Sequence, residues 1–146
     1  MSDSRLYTQS CFTPRNGVDG PGLAEFVLRV ARAGTLNWAA ATDVDLAGEA
    51  RSELCVDVNR IVVLTVHDLL AMLNRAGQVS SATLFLCEDK EAAMTIQATE
   101  AYAASVSKSD VTVRAVDDTY VYVIAPAERA TVLMGTLPPV EQGIQR

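Results

Sequence analysis

The chain has 146 residues, 49% of them hydrophobic and 21% charged, the size and composition of one domain with a sizeable core and no room for a second. Its formal net charge of -6 and scattered basic residues exclude a role that depends on neutralising phosphates, since nucleic-acid affinity comes largely from clustered Lys and Arg. No apolar run is long enough to span a bilayer: the longest strongly apolar stretch, Ile61 to Val66, is far too short.

Leu6 to Phe12 reads as a first strand, followed by a loop rich in Pro and Gly, Thr13 to Gly22. A helix is expected next, with Leu23, Phe26, Val27 and Val30 recurring on one face, Glu25 placed four before Arg29, and Gly34 as a left-handed cap. Thr35 to Asp43 reads as a strand of small residues around Trp38. Leu54, Val56 and Val58 alternate with polar neighbours and Ile61 to Leu64 continues in the same manner, so one long strand and a hairpin turning at Asn59-Arg60 both fit. Thr65-Val66-His67-Asp68 resembles a capping box with Asp in the Glu place, and Val66, Leu69, Leu70 and Leu73 supply the stripe of a second helix ending at Gly77.

Ala82 to Cys87 is apolar on both faces, which suits an interior strand covered on both sides. Asp89 is placed to cap the following helix, whose inner face would carry Ala92, Ile96, Thr99, Ala103 and Val106. Val111 to Val116 and Tyr120 to Ala125 then form a hairpin across Asp117-Asp118-Thr119, and Pro126 and Gly135 bracket a short last helix. This order predicts an α/β domain, or an α+β variant of it, over residues 5–135: a mixed β-sheet with helices packed on it, crossover β-α-β units first and an antiparallel hairpin last. Residues 136–146, with Pro138-Pro139 and no apolar periodicity, read as a flexible tail. Arg32-Ala33-Gly34 and Arg75-Ala76-Gly77 form a short internal echo at two helix ends.

Chemistry is sparsely signalled. Cys11, Cys55 and Cys87 are an odd set without CxxC spacing, neither a disulfide framework nor a zinc knuckle, and fit reduced thiols in a cytoplasmic protein. His67 is the only histidine, which leaves no His-rich metal site, and its place in a helix's first turn reads as surface. The glycine loop at Gly17, Gly20 and Gly22 stands where a phosphate turn would stand, but Pro21 removes an amide and Asp19 would repel the anion. No cofactor, metal or catalytic residue is assigned.

Ligands in open α/β sheets bind beyond the carboxyl ends of parallel strands. On that rule Asp43 and Asp45, after the Trp38 strand, and Cys87, Glu88 and Asp89, after the central one, are ligand-binding candidates that would share one sheet edge if their strands run parallel. The plainer account makes Asp89 a cap, Glu88 a favourable charge near a helix start and Cys87 a small buried hydrophobe. Tyr120 and Tyr122 share one face of the last strand and are interface candidates. The sequence therefore favours a non-catalytic protein-binding or assembly module, possibly an acidic accessory or inhibitor protein acting on a protein partner or on itself, with neither nucleic acid nor membrane as partner. The competing class is a small enzyme or ligand-binding protein working at the strand edge around Cys87, Glu88 and Asp89.

Overall fold

A computed structural model describes residues 7–48, 54–134 and 142–143. The strands are β1 Tyr7–Phe12, β2 Trp38–Gly48, β3 Val62–Thr65, β4 Ala76–Cys87, β5 Val111–Val116, β6 Tyr120–Pro126 and the short β7 Gln142–Gly143. The helices are α1 Gly20–Gly34, α2 Val66–Asn74, α3 Lys90–Met94, α4 Tyr102–Lys108 and α5 Ala127–Met134. No described helix is long and apolar enough to cross a membrane.

The strands make one sheet in the order β3-β2-β4-β5-β6-β1-β7, and every neighbouring pair is antiparallel. The mixed α/β content and the crossover units are present, but the parallel neighbours expected of a mixed sheet are not. The reason lies in interleaving. The strands joined by α1, β1 and β2, run the same way with β4, β5 and β6 between them, and those joined by α2, β3 and β4, run the same way with β2 between them. Each crossover skips at least one strand of opposite direction, so same-sense strands never touch.

Helix α1 starts earlier than its apolar stripe. Asp19 caps it by accepting a hydrogen bond from the Gly22 amide at 2.7 Å, and Gly20, Pro21 and Gly22 form its first turn. The carboxylate thus takes an amide that a bound anion would need. At the other end Gly34 is still helical and Thr35, at φ 53°, takes the left-handed conformation instead. Thr35 Oγ1 bonds the Gly34 carbonyl at 2.6 Å, which supports a non-glycine residue there. Leu23, Phe26, Val27 and Val30 are buried, and Phe26 meets Phe12 of β1 with ring centroids 5.2 Å apart. Burial of each such side chain contributes roughly 1.5–3 kcal/mol.

The stretch after residue 53 is the single-strand alternative, interrupted. Val56 pairs with Val44 and Val62 with Ala41, both antiparallel to β2, so the chain keeps one direction along the β2 edge and bulges out between Asp57 and Ile61. Thr65 caps α2 through the Asp68 amide at 3.1 Å, as the capping pattern predicts. The helix stops at Asn74, before the expected Gly77, because Ala76 and Gly77 already belong to β4; the Arg-Ala-Gly echo therefore falls at two different kinds of helix end.

The expected long helix after Asp89 is two helices. Asp89 does cap, accepting from Ala92 N at 2.9 Å, but α3 ends at Met94. Thr95 Oγ1 donates to the Ala92 carbonyl at 2.7 Å, Glu100 Oε1 accepts from Gln97 N at 3.1 Å, and Lys108 Nζ donates to the Thr95 carbonyl at 2.9 Å. These side chains take up backbone groups that a continuing helix would use. The β5–β6 hairpin turns where expected, with Asp117 at φ 54° and Asp118 at φ 48° and Thr119 N bonded to Val116 O at 3.1 Å, the geometry of a type I′ turn. Pro126 is the last residue of β6, and α5 begins one residue later. The tail expected over 136–146 lies outside the described residues except for Gln142 and Gly143, which pair with Phe12 and Cys11.

The core is two-sided. On one face α1 and α2 pack over Ala39, Ala41, Leu84, Leu86, Val113, Val121 and Val123. On the other, α3 and the segment after it enclose a smaller cluster of Ala40, Phe85, Cys87, Ala93 and Ile96. Residues Ala82 to Cys87 of β4 are accordingly buried without a break, as an interior strand covered on both faces requires.

Candidate functional site

The five ligand-binding candidates do not meet. Because β2 and β4 are antiparallel, Trp38 faces Cys87 and Asp45 faces Ser81, which puts Asp43 and Asp45 at one end of the sheet and Cys87, Glu88 and Asp89 at the other. The shared edge needed parallel strands.

Cys87 is fully buried in the smaller cluster. Burial pushes its thiol up to about 12, and the negative charge of Asp110 adds to the shift. A thiol held protonated is a poor nucleophile. Glu88 pairs with Arg129 of α5 (Oε2 to Nη2, 2.6 Å), and Arg129 also reaches Asp110 Oδ1 at 3.3 Å and the Gly34 carbonyl at 3.4 Å. Asp110 Oδ2 in turn accepts from the Glu88 amide at 2.9 Å. This end of the sheet is a tie between α1, α5 and the strand ends, and Asp89 is occupied as a cap. Among the described residues no three His, Cys, Asp or Glu side chains converge as a metal site. His67 lies exposed in the first turn of α2.

Asp43 has a more specific position. The register between β2 and β4 shifts between Thr42 and Asp45, a bulge in which Asp43 takes φ 51°. A bulge re-aims side chains. Val44 remains in the main core, while Thr42 and Asp43 both line a cleft on the opposite face. This cleft, about 170 Å³, lies between the segment carrying α4 and the sheet, with Phe85, Ile61, Thr83, Glu100, Tyr102 and Arg114 among its walls. A second hollow of about 280 Å³ adjoins it, bounded by Gln9, Tyr102, Arg114, Val116, Tyr122 and Ile124. Arg114 and Tyr102 are common to both, with the guanidinium 5.0 Å from the ring centroid.

The interface candidates lie beside these hollows. Alternation places Val121 and Val123 in the main core and turns Tyr120 and Tyr122 to the other face, half-buried, their ring centroids 6.3 Å apart. Tyr122 stands opposite Arg114 in β5 and Cys11 in β1. Its phenol is raised above the ordinary 10, first by burial and then by Cys11, while Arg114 pulls the other way. On this face α4 reaches β5, where Tyr102 rests on Arg114 and the following Ser109 bonds Thr112 at 3.0 Å.

Arg114 and Tyr102 have no place among the sequence candidates. The available signal was Arg114 itself, a charged residue inside the otherwise apolar run Val111-Thr112-Val113-Arg114-Ala115-Val116. Comparison with known proteins finds no family model, no curated protein and no solved structure that matches the chain.

Proposed function

We propose that this chain is a non-catalytic protein-binding or assembly module, and that its contact surface is the half of the second sheet face formed by β5, β6 and β1. The observation that carries the reading is the half-buried row of Val116, Tyr120, Tyr122 and Ile124, on a face that α4 reaches at β5 through Tyr102 and Arg114. Tyrosine is suited to such a surface, because it brings large contact area with little rotamer entropy to lose and a hydroxyl at the rim. Three strands spaced ~4.8 Å apart and ~20 Å long present roughly 300 Å². A standard interface takes about 800 Å² per partner, so the partner must extend beyond the strands onto the neighbouring α4 and the β5–β6 turn.

The net charge of -6 supports an accessory or inhibitor role toward a basic partner, since complementary fields speed encounter. Self-association through the same face is the other form of this reading. Free Cys11, Cys55 and Cys87 support a reducing, cytoplasmic setting. The test is sedimentation velocity on the full chain, alone and with captured partners, for the wild type and the double variant Tyr120→Ser, Tyr122→Ser. Loss of association in the variant, with an unchanged far-UV spectrum, supports the module; association that the double variant leaves intact rejects this face.

A further inference from the structure

Register brings four polar side chains into one line. Thr42 of β2 stands opposite Thr83 of β4, Thr83 opposite Arg114 of β5, and Arg114 opposite Tyr122 of β6. Directly opposed residues share a face, so this line crosses four adjacent strands on the side away from α1, a span of about 15 Å. Polar groups in the middle of a sheet face are costly to bury without partners. Thr42 has one, donating to the Arg60 carbonyl at 2.6 Å. Arg114 is half-buried and rests on Tyr102, yet among the described residues no carboxylate lies within ion-pair distance of it. Glu100, an acidic wall of the same cleft, is already held by Lys108 at 2.8 Å.

A guanidinium carries a planar fork of donors that matches a carboxylate in bidentate fashion. Here Arg114 lines a cleft of about 170 Å³ whose walls also include Phe85 and Ile61. We propose that the cleft binds a small organic monocarboxylate, the carboxylate on Arg114 and a single ring or branched alkyl body against Phe85, Ile61 and Tyr102. Asp43, at the Thr42 end of the line, sets the charge limit: a second negative group on the ligand would meet its carboxylate, whereas an apolar body would not. The inference does not depend on the protein-binding reading.

The experiment is amide NMR titration of the full chain with benzoate, 3-methylbutanoate, benzamide and inorganic phosphate. Saturable shifts at Thr83, Tyr102 and Arg114 with benzoate or 3-methylbutanoate, at least tenfold weaker with benzamide and absent with phosphate, are expected. Arg114→Gln should abolish them and Arg114→Lys should weaken them about tenfold. The proposal is overturned if neither carboxylate gives saturable shifts there, if benzamide binds as well as benzoate, or if phosphate competes on equal terms. The benzamide and phosphate comparisons use the wild-type chain, so they decide the matter even where an Arg114 variant does not fold.

Discussion

Cys87 gives a prediction whose size follows directly from its burial. Its thiol stands at about 12 against an ordinary 9.0. At pH 8 this leaves about a thousandfold less thiolate than a free cysteine has. Graded alkylation read by mass spectrometry should therefore label half-buried Cys55 first, and Cys87 only at the rate of unfolding. The same shift has a consequence for stability. Below pH 9 both the folded and the unfolded thiol are protonated and nothing is lost; above it the unfolded chain releases a proton that the fold retains, so stability falls as pH rises from 9 toward 12. Between pH 8 and pH 10 the loss from this one group is about 1.4 kcal/mol. Urea unfolding of the wild type and Cys87→Ala at both pH values isolates it, because tyrosine and lysine titration is common to the two proteins. Equal losses in the two, or native labelling of Cys87 as fast as of Cys55, would refute the burial argument and reopen the strand-edge enzyme reading.

Two further substitutions test the joints of the fold. A Cβ at Gly20 would come within 2.7 Å of Ala76 Cβ and 2.8 Å of its carbonyl oxygen, and against the Leu73 carbonyl as well, so Gly20→Ala should cost about 3 kcal/mol in urea unfolding by forcing α1 away from the α2–β4 junction; a cost under 0.5 kcal/mol would show that the helix seats elsewhere. Arg129→Gln removes the cation between Glu88 and Asp110 and should cost about 1–2 kcal/mol at low salt, discounted because all three side chains are partly exposed, and less in 1 M salt; a salt-independent effect would mean that packing, not charge, ties α5 to the strand ends.

Local signals were readable where the physics is local. The stripe Leu23, Phe26, Val27, Val30, the caps Thr65 and Asp89, the turn at Asp117-Asp118 and the two-sided burial of Ala82 to Cys87 are each fixed by residues within a few positions of one another. Failures came where a distant strand or a competing side chain decides. Nothing near Trp38 says that it faces Cys87, so the edge imagined for Asp43, Asp45, Cys87, Glu88 and Asp89 was a statement about strand order and fell with it. The helix after Asp89 broke because Glu100 and Lys108 take backbone partners that a stripe of Ala92, Ile96 and Thr99 does not reveal. The line of Thr42, Thr83, Arg114 and Tyr122 exists only once three registers are known.

The same topology explains why the two faces of the sheet are covered unequally. Connections between same-sense strands that skip over a neighbour must carry a helix across the sheet, and α1 and α2 both land on the face of the main core. Among the described residues the opposite face receives the connection from β4 to β5 and, through Ile61, the stretch before β3. That connection covers the sheet over Phe85 and Cys87 and extends to β5, where Tyr102 rests on Arg114. A hairpin follows at once, with no residues to spare for a further covering helix before Tyr120. The half-buried pair Tyr120 and Tyr122 and the cleft lined by Arg114 therefore lie on two sides of one boundary, the line where Tyr102 rests on Arg114.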